Sequence, residues 1–134
     1  MTLKRVAPEE AKRLVDEEGY VYIDVRSVPE FDAGHPEGAY NVPLAHLGPM
    51  GGEPNRDFQR VMEERFGRDA RIVVGCQSGG RSLQAASILL QSGFQDVVDQ
   101  RAGFGGAPGE QGWKQRGLPV STAAAPDHTW DGLK

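Results

Sequence analysis

Arg71-Ile72-Val73-Val74-Gly75-Cys76-Gln77-Ser78-Gly79-Gly80-Arg81-Ser82 is an apolar run that breaks into a glycine-rich loop, and a helical pattern follows it at once. Ile72, Val73 and Val74 are β-branched, and the run is too short for a buried helix, so it predicts a buried strand. Leu83, Ala86, Leu89 and Leu90, with Ala85 and Ile88 filling in, predict a largely buried helix ended by Gly93. Strand, tight loop and helix start therefore meet around one residue, Cys76. It is the single cysteine of the chain.

Such a loop is an anion site with a nucleophile at its centre. Gly79 and Gly80 can adopt positive φ, which lets successive N–H groups curl inward. The helix beginning near Ser82 adds its partial positive charge, and Arg81 a permanent one. Gln77 and Ser78 carry neutral donors. This set stabilises a thiolate and equally a terminal sulfur or oxyanion one bond further out. The alternative is a buried cysteine acting as a small hydrophobe in a plain strand–helix turn, which leaves Arg81 and the helix start without a reason.

Working outward, Leu3 to Val6 predicts an edge strand. Pro8, Glu9 and Glu10 open a helix with Ala11, Leu14 and Val15 on one face, closed by Gly19. Tyr20 to Val25 predicts a second buried strand. The stretch 26–43 is rich in turn residues, with one short strand expected at Ala39 to Val42. Gly48 to Asn55 is a loop by composition. Phe58, Val61, Met62 and Phe66 form a helical stripe before Gly67, and Phe94 to Val98 predicts a third strand. A short helix is expected around Glu110 to Arg116. Residues 1–120 form one domain, and 121–134 a C-terminal tail. Alternating strands and helices predict an α/β domain: a mostly parallel sheet with helices on both faces, and ligands at the C-terminal strand ends, where Cys76 falls.

The 134 residues suit one core, and 38% hydrophobic with 25% charged residues fits a globular protein. The net charge of −4 points away from nucleic acid and anionic membranes. One cysteine excludes an internal disulfide or resolving thiol. His35, His46 and His128 are scattered, so neither a metal nor another cofactor is expected. No stretch reads as a signal peptide or membrane span, and a free working thiol suits the cytoplasm.

Cys76 to Ser82 matches Cys-x-x-Gly-x-Arg-Ser, the loop of the rhodanese family in its single-domain form. Ile23-Asp24-Val25-Arg26, Glu30-Phe31 and Gly34-His35-Pro36-Glu37-Gly38-Ala39-Tyr40-Asn41-Val42-Pro43 resemble the family's upstream stretches. Gly103-Phe104-Gly105-Gly106, Trp113 and Gly117-Leu118-Pro119-Val120 resemble its closing ones. The resemblance runs in order over residues 3–120. Pro36 beside His35 and an insertion at Ala107-Pro108-Gly109 depart from the usual pattern.

The resemblance implies a rhodanese-like three-layer fold and a sulfurtransferase. Cys76 would take the outer sulfur of a donor such as thiosulfate as a persulfide. It would then pass that sulfur to cyanide, a thiol or a protein partner. Gln77, Ser78, Gly79, Gly80, Arg81 and Ser82 would bind substrate: the loop amides hold the persulfide sulfur and Arg81 the anionic donor. Asp24 and Arg26 read either as site positioners or as a structural ion pair. His35 and Asn41 are expected to bond turn backbone, and Trp113 to pack. Two other functions compete. A cysteine phosphatase of this fold has five residues between Cys and Arg, and here there are four. A non-catalytic interaction module has its cysteine replaced, and here it is present.

Overall fold

The computed structural model describes residues 3–49 and 51–134. Met1 and Thr2, and Met50 within the 48–55 segment, lie outside the described residues. In chain order the elements are β1 (Lys4–Val6), α1 (Pro8–Glu17), β2 (Val21–Asp24), α2 (Val28–Ala33), β3 (His35–Pro36) and β4 (Tyr40–Asn41). Then come β5 (Ala45–Gly48), β6 (Gly51–Pro54), α3 (Phe58–Arg65), β7 (Arg71–Gly75), α4 (Gly80–Gln91), β8 (Asp96–Gln100) and β9 (Val120–Ser121). A 3₁₀ turn at Pro126–His128 and α5 (Trp130–Leu133) close the chain.

The central sheet has the order β1-β8-β7-β2-β4, and every pairing in it is parallel. Alternate residues of its strands face opposite layers. Ile23, Ile72, Val74 and Val97 pack against Phe58, Val61 and Met62 of α3 and Ala85, Ala86 and Leu89 of α4. Tyr22, Val73 and Val98 pack instead against Ala11 and Leu14 of α1, Phe31 of α2, and Phe104 and Trp113. The expected three-layer α/β architecture is what the chain adopts.

Several local expectations differ. The 26–43 segment contains a helix, α2, besides its turns. Ser27 donates from N–H and Oγ to Glu30 Oε1 at 3.2 and 2.9 Å, the carboxylate half of a capping box, and Pro29 sits in the first turn. The 48–55 segment is half of a β5–β6 hairpin. β8 lies two residues later than expected, ending in the buried polar pair Asp99 and Gln100. Glu110 to Arg116 forms no helix. Glu110 pairs with Arg101 and Arg116, and it bridges back to Ala107.

The segment from Ser121 folds back onto the body. β9 pairs antiparallel with β3, so the Gly-His-Pro and Gly-Leu-Pro-Val stretches meet. Trp130 and Leu133 enter the α3/α4 layer, and Arg65 Nε donates to Leu133 O at 2.7 Å.

Candidate active site

β2 and β7 are neighbours in register, with Asp24 opposite Gly75. β2 runs on toward β4 on one side and β7 toward β8 on the other. Their C-terminal ends therefore flank a topological switch point, where α/β sheets place their crevice. Cys76 is the first residue past β7. It is 2% exposed and forms the floor of the loop.

The loop is built around its sulfur. Gly79 N–H donates to Cys76 Sγ at 3.1 Å, and Ser82 Oγ lies 3.4 Å from the same atom. Ser82 also donates to Gly79 O at 3.3 Å. Its hydroxyl can rotate toward a negative sulfur, because a rotor changes donor direction at little cost. Gly79 has φ +99°, and a Cβ there would stand 2.4 Å from Arg101 O. Glycine is thus required twice over at this position. Gly80, also expected at positive φ, is instead the first residue of α4. That places Arg81 and Ser82 in the first helical turn, with the helix starting two residues earlier than the sequence suggests.

The turn after β8 stitches the loop from behind. Phe104 N–H donates to Cys76 O at 2.7 Å and Gly105 N–H to Gln77 O at 3.0 Å. Gln100 fixes that turn by accepting from the N–H groups of Ala102 and Gly103 and donating to Gly103 O. Gly103, at φ +73°, would place a Cβ 2.3 Å from Gln77 O, so the approach tolerates no side chain. Asp99 is fully buried beside this turn and accepts from Arg5 Nε at 2.7 Å; burial pushes its carboxyl up.

Two Asp/Glu–Arg pairs stand at the mouth. Arg26 is doubly bonded to Asp24 and reaches Gly34 O at 2.7 Å and Gln77 Oε1 at 3.2 Å. Its guanidinium lies 4.4 Å from the centre of the Phe104 ring. Asp24 and Arg26 therefore form a structural ion pair that also holds a loop side chain. Arg81 meets Glu30 in a bidentate fork at 2.7 and 2.9 Å. The Arg81 guanidinium, helped by Ser27, holds the Glu30 carboxyl down to about 2. Glu30 was legible only as part of a family stretch. Its pairing with Arg81, 51 residues away, has no signal in spacing.

Two clefts adjoin the pair. One, of about 570 Å³, is lined by Glu30, Arg26, Gln77, Phe104 and Lys114. The other, of about 400 Å³, is lined by Arg81, Leu44, Arg56, Phe58 and Ile88. Gln77, Ser78 and Gly80 are exposed at the rim.

The remaining polar residues serve the scaffold. His35 is buried, with Nδ1 2.7 Å from Phe31 O and Nε2 3.1 Å from Ala123 O. Asn41 donates to Asp24 O and Arg26 O. Trp113 donates to Pro119 O and meets Tyr22 edge-on. Among the described residues no cluster of three or more His, Cys, Asp or Glu is placed to hold a metal.

The family model of the rhodanese-like domain matches residues 7–106, which include the whole loop. The chain belongs to the rhodanese family. It is 43% identical over 102 residues to thiosulfate sulfurtransferase 16, chloroplastic, of Arabidopsis thaliana, covering 76% of this chain and 80% of that one. It is 37% identical over 113 residues to the senescence-associated protein DIN1 of Raphanus sativus. That match covers 84% of this chain but only 58% of the relative. Among solved structures it superposes on the Rv0390 protein of M. tuberculosis with a TM-score of 0.71 at 26% identity, covering 92% of this chain and 100% of that one. Among the described residues no helix is long and apolar enough to cross a membrane.

Proposed function

We propose that this rhodanese-family protein is a sulfurtransferase working through a Cys76 persulfide. The Cys76 thiolate attacks the outer sulfur of a donor such as thiosulfate. A new S–S bond forms at Cys76, the donor's S–S bond breaks, and its electron pair leaves with sulfite. Cys76–S–S⁻ then yields its outer sulfur to cyanide or a thiol, and the thiolate returns. The two half-reactions predict ping-pong kinetics.

The observation that carries this reading is the Gly79 N–H at 3.1 Å from Sγ at the start of α4, with the Ser82 hydroxyl at 3.4 Å. In the proposal the amides of Gln77, Ser78, Gly79, Gly80 and Ser82 hold the negative outer sulfur. Arg81 stands at the rim, where Glu30 pairs with its guanidinium. Four residues between Cys76 and Arg81 make a loop sized for one sulfur atom, against the five of the phosphatase loop. With Cys76 the lone thiol, discharge goes to an outside acceptor, which is either a small thiol or a protein. A reducing compartment such as the cytoplasm suits that cycle.

The test is the intact mass after incubation with thiosulfate, with Cys76→Ser alongside. A gain of one sulfur atom that cyanide reverses, absent from the folded variant, is the expected result. Retained sulfur transfer by Cys76→Ser overturns the mechanism.

A further inference from the structure

The loop's own arginine is not free. Glu30 engages both Arg81 terminal nitrogens, at 2.7 and 2.9 Å, and these form the planar edge that a sulfonate or sulfate group would otherwise use. Glu30 cannot easily swing aside, because Ser27 N–H and Oγ hold the same carboxylate. The second cation at the mouth, Arg26, is closed by Asp24 in the same way. Glu30 lines the larger cleft beside the loop, and Lys114 stands in the wall of that same cleft. A donor that comes to the loop along this cleft, past Gln77, passes the Glu30 carboxylate. Repulsion from that charge scales with the donor's own charge.

We propose that Glu30 is a specificity-determining residue. By masking Arg81 it turns the site away from doubly charged sulfur donors and toward donors with one negative charge or none, such as an alkyl thiosulfonate or an alkyl persulfide. This rests on the sulfurtransferase reading and names the donor class for that same site. The chemistry is the same for each donor. Cys76–S⁻ takes the outer sulfur, and the electron pair of the broken S–S bond leaves with sulfite from thiosulfate, an alkyl sulfinate from a thiosulfonate, or an alkyl thiolate from a persulfide.

The experiment is the rate of sulfur loading, followed by intact mass, with thiosulfate (two charges) and the methanethiosulfonate anion (one charge). Wild type, Glu30→Gln, Arg81→Ala and the double variant are compared. Glutamine keeps an oxygen for the Ser27 bonds. Glu30→Gln is expected to raise the thiosulfate-to-thiosulfonate rate ratio roughly fivefold, a size set by one charge at close range in a solvated cleft. Arg81→Ala leaves the Glu30 charge bare and lowers the ratio. Adding Glu30→Gln to it brings the ratio back toward wild type, whereas two purely structural lesions would compound. Added salt shrinks each difference.

A ratio unmoved in Glu30→Gln, or no recovery in the double variant, overturns the proposal while leaving Cys76 loading intact. If wild type gains no sulfur from either donor, the underlying reading fails and takes the proposal with it. If Glu30→Gln does not fold, Arg81→Ala decides, since an unchanged ratio there also overturns masking.

Discussion

Asp24–Arg26 and Glu30–Arg81 are the same chemical pair at the same mouth, and they do different things. The first has side chains 2% and 3% exposed; the second has 31% and 35%. Asp24 and Arg26 lie two residues apart at a strand end, and every strong bond of the guanidinium is inward: Asp24, Gly34 O and Gln77. A buried pair like this is costly to break, because either partner alone is an uncompensated charge. Glu30 and Arg81 come from α2 and α4 and face solvent on one side, where an ion pair contributes little stability. The comparison teaches that burial decides whether an ion pair acts as architecture or as a tunable surface charge.

The largest predicted effect breaks the architectural pair. Asp24→Ala strands Arg26, and chemical denaturation should show a loss of roughly 3–5 kcal/mol. Gln77 loses its anchor in the same variant, so sulfur loading should fall with it. A loss under about 1 kcal/mol would show that Arg26 finds water, and the contrast between the two pairs would collapse.

Ser27→Ala sharpens the contrast next. It removes the hydroxyl bonded to Glu30 while leaving the carboxylate on Arg81. Unfolding should show a cost of about 1 kcal/mol, typical of a lost helix cap, with the donor rate ratio unchanged. A shifted ratio in this variant would tie donor choice to the placement of α2 instead of the charge of Glu30.

The smallest stability effect is Glu30→Gln, expected to cost under about 1 kcal/mol near neutral pH, as for other solvent-facing pairs. Its pH dependence has a defined sign. The folded Glu30 carboxyl is held below its ordinary value of 4.5, at about 2, so its ionised form stabilises the fold above pH 4.5. That contribution is lost as pH falls from 4.5 toward 2, and the stability curves of wild type and variant should converge there. Curves that stay parallel through the window would mean the pair contributes nothing to folding.

The parts of the molecule that read clearly from sequence are those whose signal is local. β2 and β7 announce themselves as β-branched runs, and α1, α3 and α4 as apolar stripes with capping residues. The loop's composition placed Cys76, Gly79 and Ser82 in one turn. Elements stabilised by distant partners did not read. The hairpin at β5–β6 has no alternating apolar pattern, because backbone pairing holds it and its second strand is solvent-exposed. β8 ends in Asp99 and Gln100, polar residues that tolerate burial only because Arg5 and the 102–103 turn bond them. The apolar Trp130 and Leu133 fall in the segment expected as a tail because their partners, Arg65 of α3 and His46 of β5 among them, stand far back along the chain. Glu110 to Arg116 carries helix formers whose charges are taken up by Arg101 and Glu9 elsewhere in the chain.

By itself the sequence determined the α/β class, the strand–loop–helix unit and the single thiol at its centre, since periodicity, turn residues and a single cysteine are properties of neighbours along the chain. Only the tertiary structure decided which charges stand free. Arg81 reads in sequence as an available cation, but folding brings Glu30 against it from 51 residues away. A charge's effect depends on what lies within a few ångströms of it, and chain order does not encode that distance.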